Sequence, residues 1–108
     1  MDDVPILDRA RVELVTRGNA ALAGEFLGAL FEEASDLIER LSGLIVGDDR
    51  VAVADVAHTL KGNATELGAM RLRAAAAALE AEVQANLWPE DLDRVRAALA
   101  ELHAFVNP

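Results

Sequence analysis

Apolar residues recur at helical spacing from one end of this chain to the other, and no stretch alternates with the period of two that a strand requires. Turn signals cut that periodicity into five segments. A short first helix is expected from about Asp8, a suitable N-cap, to Thr16, with Gly18 ending it. Asn19 then caps a long second helix whose Leu22, Phe26, Leu30, Leu37, Leu41 and Leu44 form one stripe, fading out over Gly43 to Gly47. Asp48 and Asp49 open a third, with Val53, Val56, Ala57, Leu60, Ala64 and Leu67 turned inward until Gly68 stops it. A fourth, from about Met70 to near Asn86, buries Leu72, Ala75, Ala76, Leu79 and Val83. The fifth is expected to start at Pro89, with Glu90 and Asp91 at its positive end and a stripe of Leu92, Val95, Leu99, Leu102 and Val106.

Amphipathic helices joined by connections of a few residues place sequence neighbours antiparallel. The expected fold is therefore all-α: an up-down-up-down antiparallel four-helix bundle with a short additional N-terminal helix across one end. No repeat, low-complexity linker or composition break divides the chain, and 108 residues suit a single domain over 1–108. The alanines from Ala74 to Ala78 predict a close approach of the fourth helix to its neighbours.

Composition narrows the function. A net charge of −9 disfavours nucleic acid and anionic lipid as partners, since both repel it. The absence of cysteine removes disulfides, thiolate metal sites and thiol nucleophiles. The acidic start Met1-Asp2-Asp3 does not read as a secretion signal, and no apolar run is long enough to span a bilayer, so a cytoplasmic address is expected.

The chain has one lysine, and it lies three places after one of two histidines, in His58-Thr59-Leu60-Lys61-Gly62-Asn63. Residues three apart share a helix face, so Lys61 can reach a group carried by His58. At about 100° per residue, His58 lies roughly 150° from the inward stripe centred near Leu60 and Val53, and faces solvent. Val51, Ala54, Asp55, Lys61, Gly62 and Thr65 share that outward face, and most are small. A glycine inside a helix costs about 1 kcal/mol relative to alanine. Gly62 is accounted for if something large descends on the helix beside His58.

These residues resemble the histidine phosphotransfer (HPt) domain of bacterial multistep phosphorelays. The resemblance rests on His58-Thr59-Leu60-Lys61-Gly62, then Gly68-Ala69, Leu72 and Leu79-Glu80, with Leu30-Phe31-Glu32-Glu33-Ala34 similar to that family's second helix. It departs at Asn63, where serine is more usual in the family. The resemblance implies that His58 accepts a phosphoryl group from a receiver-domain aspartyl phosphate of a hybrid histidine kinase. It then passes the group to the aspartate of a response-regulator receiver. An imidazole is largely neutral and nucleophilic near pH 7, and phosphoryl transfer depends on positioning and charge stabilisation. Lys61 is expected to stabilise the phosphoryl group and to serve that state rather than the fold. The receiver supplies magnesium and the other catalytic groups, so no cofactor or metal is expected in this chain. With no Gly-rich nucleotide loop, it is expected to be a phosphocarrier rather than a kinase, acting as a monomer. The alternative is a non-phosphorylated interaction module that binds a receiver or kinase domain.

The remaining candidates read as structure. His103 lies beside Leu99 and Val106 at the edge of the buried stripe, a packing position. Glu32-Glu33 and Asp48-Asp49 read as solvated faces or caps. Gly24 and Gly28 thin one flank of the second helix, where Phe31 is expected to sit partly exposed beside Gly28 and Ser35 and to offer a docking contact.

Overall fold

A computed structural model describes residues 4–89 and 92–107. They form five helices and no strand: α1 (Arg9–Thr16), α2 (Ala20–Val46), α3 (Arg50–Glu66), α4 (Met70–Gln84) and α5 (Asp93–Val106). Three helix starts have side-chain caps where the sequence places them. Asp8 accepts from the Arg11 amide at 3.3 Å, Asn19 from Leu22 at 3.0 Å and Asp49 from Ala52 at 3.2 Å. Each satisfies an amide that the first helical turn leaves without a partner. Left-handed residues follow α1 (Arg17 and Gly18), α3 (Gly68) and α4 (Asn86), and Asp48 turns the chain between α2 and α3.

α3 packs most extensively on α4 and next on α2, while α5 contacts both α4 and α2. The core between them is aliphatic, with Leu41, Val53, Leu60, Leu72 and Leu102 fully buried. Buried Ala75 and Ala76 on α4 let the helix backbones approach closely. At 27 residues, α2 has a length of about 40 Å, which accounts for the 42 Å long dimension of the molecule. α1 packs on α2 and is tied to the α3–α4 turn. The Asp8 amide donates to the Gly68 carbonyl at 2.7 Å, and Arg11 Nε donates to the Glu66 carbonyl at 3.0 Å.

Two expectations are corrected. α5 begins at Asp93 with Leu92 as its N-cap residue, four positions after Pro89. Pro89 and Leu92 are buried ahead of the helix, and Trp88 is packed against the core with the Arg50 guanidinium 4.8 Å from its ring centre. Glu90 and Asp91 lie outside the described residues. At the N-terminal end of α2 the inward row runs through Ala23 and Leu27, leaving Phe26 37% exposed. The 3.6-residue repeat drifts against a strict four-residue spacing, so Phe26 is carried out of line with Leu30.

Candidate functional site

His58 projects from the middle of α3, with its side chain 67% exposed. Its ring is not free: Nδ1 lies 2.9 Å from Oε2 of Glu80, a residue of α4. The other oxygen of the same carboxylate, Oε1, accepts from Lys61 Nζ at 2.6 Å. The Glu80 side chain is only 12% exposed, so one buried carboxylate joins the histidine and the lysine. The Lys61 ammonium, hydrogen-bonded to it, holds the Glu80 carboxyl below the usual carboxylate range. Desolvation opposes that shift, and the His58 ring reinforces it.

The chemistry of this arrangement follows from what each atom can do. A carboxylate only accepts hydrogen bonds, so the Nδ1 facing it carries the hydrogen. Nε2, on the far side of the ring, then keeps its lone pair. The result is an outward imidazole of fixed tautomer, with an ammonium one turn away on the same helix.

The other residues of the outward face are placed as follows. Val51 is 74% exposed, Asp55 and Thr65 are exposed, and Ala54 is half-buried against the core. Thr65 donates to the Lys61 carbonyl at 2.7 Å and accepts from Arg73 Nε at 3.0 Å, so α4 supplies a second polar contact to this face. Gly62 is exposed, and a Cβ built on it meets nothing within 4 Å. The described residues therefore give no packing reason for a glycine there.

Phe31 is turned elsewhere. Its ring meets His103 of α5 edge-on, with centroids 5.0 Å apart, in a groove lined also by Ser35, Ile38 and Leu99. Glu33, two residues on and so about 200° around α2, accepts from Asn63 of α3 at 3.2 Å. The structure thus places Phe31 on the α5 side of α2 and does not bring it to the His58 face. His103, expected at a packing position, is exposed on α5 and meets only the edge of the Phe31 ring from that side.

Sequence reasoning gives Glu80 no role, although Leu79-Glu80 is among the residues that carry the resemblance. A signal existed: an acidic residue beside Ala76, Leu79 and Val83 on a buried face calls for a cation, and the chain holds a single lysine. Among the described residues no group of three or more His, Asp or Glu side chains could hold a metal ion.

The Hpt domain family model matches residues 25–105, three quarters of the chain and the whole span that carries His58, Lys61 and Glu80. The chain belongs to the Hpt domain family. No curated protein and no solved structure matches it significantly. Hpt domains are helical bundles that act as phosphocarriers in histidine phosphotransfer, working with the receiver domains of kinases and regulators in phosphorelays. Within this Hpt domain the match begins inside α2, leaving α1 outside it. Among the described residues, no helix is long and apolar enough to cross a membrane.

Proposed function

We propose that His58 is the phosphoacceptor of this Hpt domain, using Nε2, and that Lys61 stabilises the phosphoryl group it carries. The observation that carries the reading is the exposed ring whose Nδ1 is engaged by Glu80, leaving Nε2 as the outward nucleophile. In acceptance, the Nε2 lone pair forms a bond to phosphorus while the acyl phosphate P–O bond of a receiver aspartate breaks and its carboxylate departs. Donation to a second receiver reverses those two changes. Neither needs an activating base, because the attacking atoms, Nε2 in acceptance and a carboxylate oxygen in donation, bear no proton. The ammonium of Lys61 offers charge-assisted hydrogen bonds to the phosphoryl oxygens. Magnesium and the remaining catalytic groups are assigned to the partner receiver.

The proposed partners are receiver domains of a hybrid histidine kinase and of a response regulator, with residues 1–108 acting as one monomeric domain in the cytoplasm. An up-down-up-down run of α2 to α5 is the arrangement proposed for the bundle. The surface proposed to meet a receiver is the outward face of α3: Val51, Ala54, Asp55, Gly62 and Thr65. Phe31, turned toward α5, stands outside that surface.

His58→Gln tests the assignment. The variant is expected to lose labelling by a phosphorylated receiver completely while keeping its helical content. Labelling that persists, or that maps to His103, overturns it. Receiver binding by wild-type protein without any labelling of His58 would instead select the non-phosphorylated interaction module.

A further inference from the structure

One face of the bundle takes no part in the chemistry of His58. Along α2, Gly24, Gly28, Phe31, Ser35 and Ile38 follow one another at intervals of four and three residues, the spacing of a seam against which a second helix packs. α5 runs beside this seam without closing over it. Ser35 on one side and Ala100 and Ala104 on the other are too small to fill the gap, and an apolar groove of about 520 Å³ remains beside half-buried Phe31. A second depression, of about 550 Å³, follows along α2 and α5 from Gly24 to Phe105, which is 37% exposed. A Cβ built on Gly24 or Gly28 meets nothing within 4 Å, so packing within the described residues accounts for neither glycine, although each weakens the helix.

The charge beside the groove selects its occupant. Glu25, Glu32 and Glu39 each stand one position after a seam residue and seven residues apart, so they form an exposed row along one edge, with about 10 Å between successive positions. In a pair of helices this edge position meets the flanking charges of the opposing helix. Among the described residues, neither Glu25 nor Glu32 forms an ion pair, and Glu39 reaches Arg96 at 3.7 Å with both side chains exposed. We propose that this face of α2 and α5 receives an amphipathic helix of a partner protein, one whose apolar stripe is flanked by Lys or Arg at seven-residue intervals. Its cations meet the acidic row while its apolar stripe covers the groove, and the two glycines let its backbone come near. About 15 residues of helix cover the row. A second copy of this chain lacks that complement, since it sets a like row against this one and carries the same net charge of −9. The proposal adds a second partner to the phosphotransfer reading and stands independently of it. Phe31 and the groove lie on the α5 side of α2, so a helix held there leaves the outward face of α3 open to a receiver.

Two synthetic helical peptides of about 20 residues are the probes, alike in a Leu and Ala stripe but flanked by Lys in one and by Glu in the other. Each is titrated into the ¹⁵N-labelled full chain, with amide shifts locating the site and fluorescence anisotropy giving Kd. The Lys peptide is expected to shift Gly28, Phe31, Ala100 and Ala104 and to bind more weakly as salt is raised, and the Glu peptide to leave them unmoved. Glu32→Lys should raise Kd roughly fivefold, whereas Glu66→Lys, the same change in charge on the exposed surface of α3, should raise it less than about twofold. Equal effects of the two substitutions, equal binding of the two peptides, or shifts confined to α3 and α4 would each overturn the proposal. So would a dimer in sedimentation that the Lys peptide dissociates, because a second copy then occupies the groove. With the Lys peptide saturating, transfer from a phosphorylated receiver to His58 is expected to continue at an unchanged rate. Its loss on adding the peptide would merge the groove with the receiver surface and overturn the proposal. Absence of transfer both with and without peptide would count against His58 as phosphoacceptor, and the shifts on α2 and α5 would still decide the groove.

Discussion

Lys61 is ion-paired with Glu80 in this structure, and that pairing changes what its removal does. From the sequence its charge is expected to serve the phosphorylated state rather than the fold, whereas the fold pairs it with a buried carboxylate. Lys61→Ala is therefore expected to cost about 1–3 kcal/mol, the penalty for leaving one oxygen of a buried carboxylate without its partner, and also to slow transfer or shorten the phosphohistidine lifetime. Lys61→Ala combined with Glu80→Gln should regain much of the stability in thermal melts and none of the transfer. If the double variant melts no higher than the single one, Glu80 is not the source of the loss. Gly62 separates folding from docking in a second way. Because a Cβ there enters open space, Gly62→Ala should raise stability by up to about 1 kcal/mol. Gly62→Gln should keep part of that gain yet weaken receiver binding, seen as slower transfer at low receiver concentration with recovery at high. Wild-type transfer by the glutamine variant at all concentrations would show that no receiver packs over position 62.

At the scale of helices and their ends, the caps were readable because each is decided by atoms within three residues. Asp8, Asn19 and Asp49 all cap as their positions predict. Gly68 is different. Its φ of 71° already disfavours any side chain, and a Cβ there would lie 2.9 Å from the Cβ atoms of both Arg11 and Asp8. Gly68→Ala should lose about 1–2 kcal/mol for the left-handed conformation alone, and more because α1 must lift from the α3–α4 turn. Chemical denaturation measures the loss, and amide exchange at Asp8, which donates to the Gly68 carbonyl, should accelerate with it. An unchanged midpoint would mean that α1 is not seated on this turn. The start of α5 shows the opposite limit of local reasoning. Pro89 is a favourable first helical residue by itself, but burial of Pro89 and Leu92 postpones the helix to Asp93.

Across the whole molecule, the Glu80 carboxylate links α3 to α4 and makes stability depend on acid in a defined direction. Its folded-state affinity for protons lies below that of the unfolded chain, so it contributes stability above the unfolded value and loses it as pH falls through the folded one. Melting temperatures of wild type and Glu80→Gln should differ most near neutrality and converge only as pH falls through the depressed folded value, below the usual carboxylate range. A gap that stays constant down to pH 3 would mean that the charge of Glu80 does not stabilise the fold. The same link joins two helices at the candidate site: α3 carries His58 and Lys61, and α4 carries the carboxylate bonded to both.

The sequence by itself determined the helices, most of the core and the outward direction of His58, because periodicity and capping act over three or four residues of one element. It also contained the motif by which the family is recognised. Only the tertiary structure decided the partners of those residues. Glu80 stands 22 positions from His58, and its meeting with the ring depends on the rotation and offset of α4 against α3, which many interhelical contacts set together. Phe31 was placed correctly as partly exposed, yet its neighbour is His103 because α5, and not α3, covers that side of α2. Helix faces are a local property of the chain, whereas the choice of what each face touches belongs to the packing of the whole bundle.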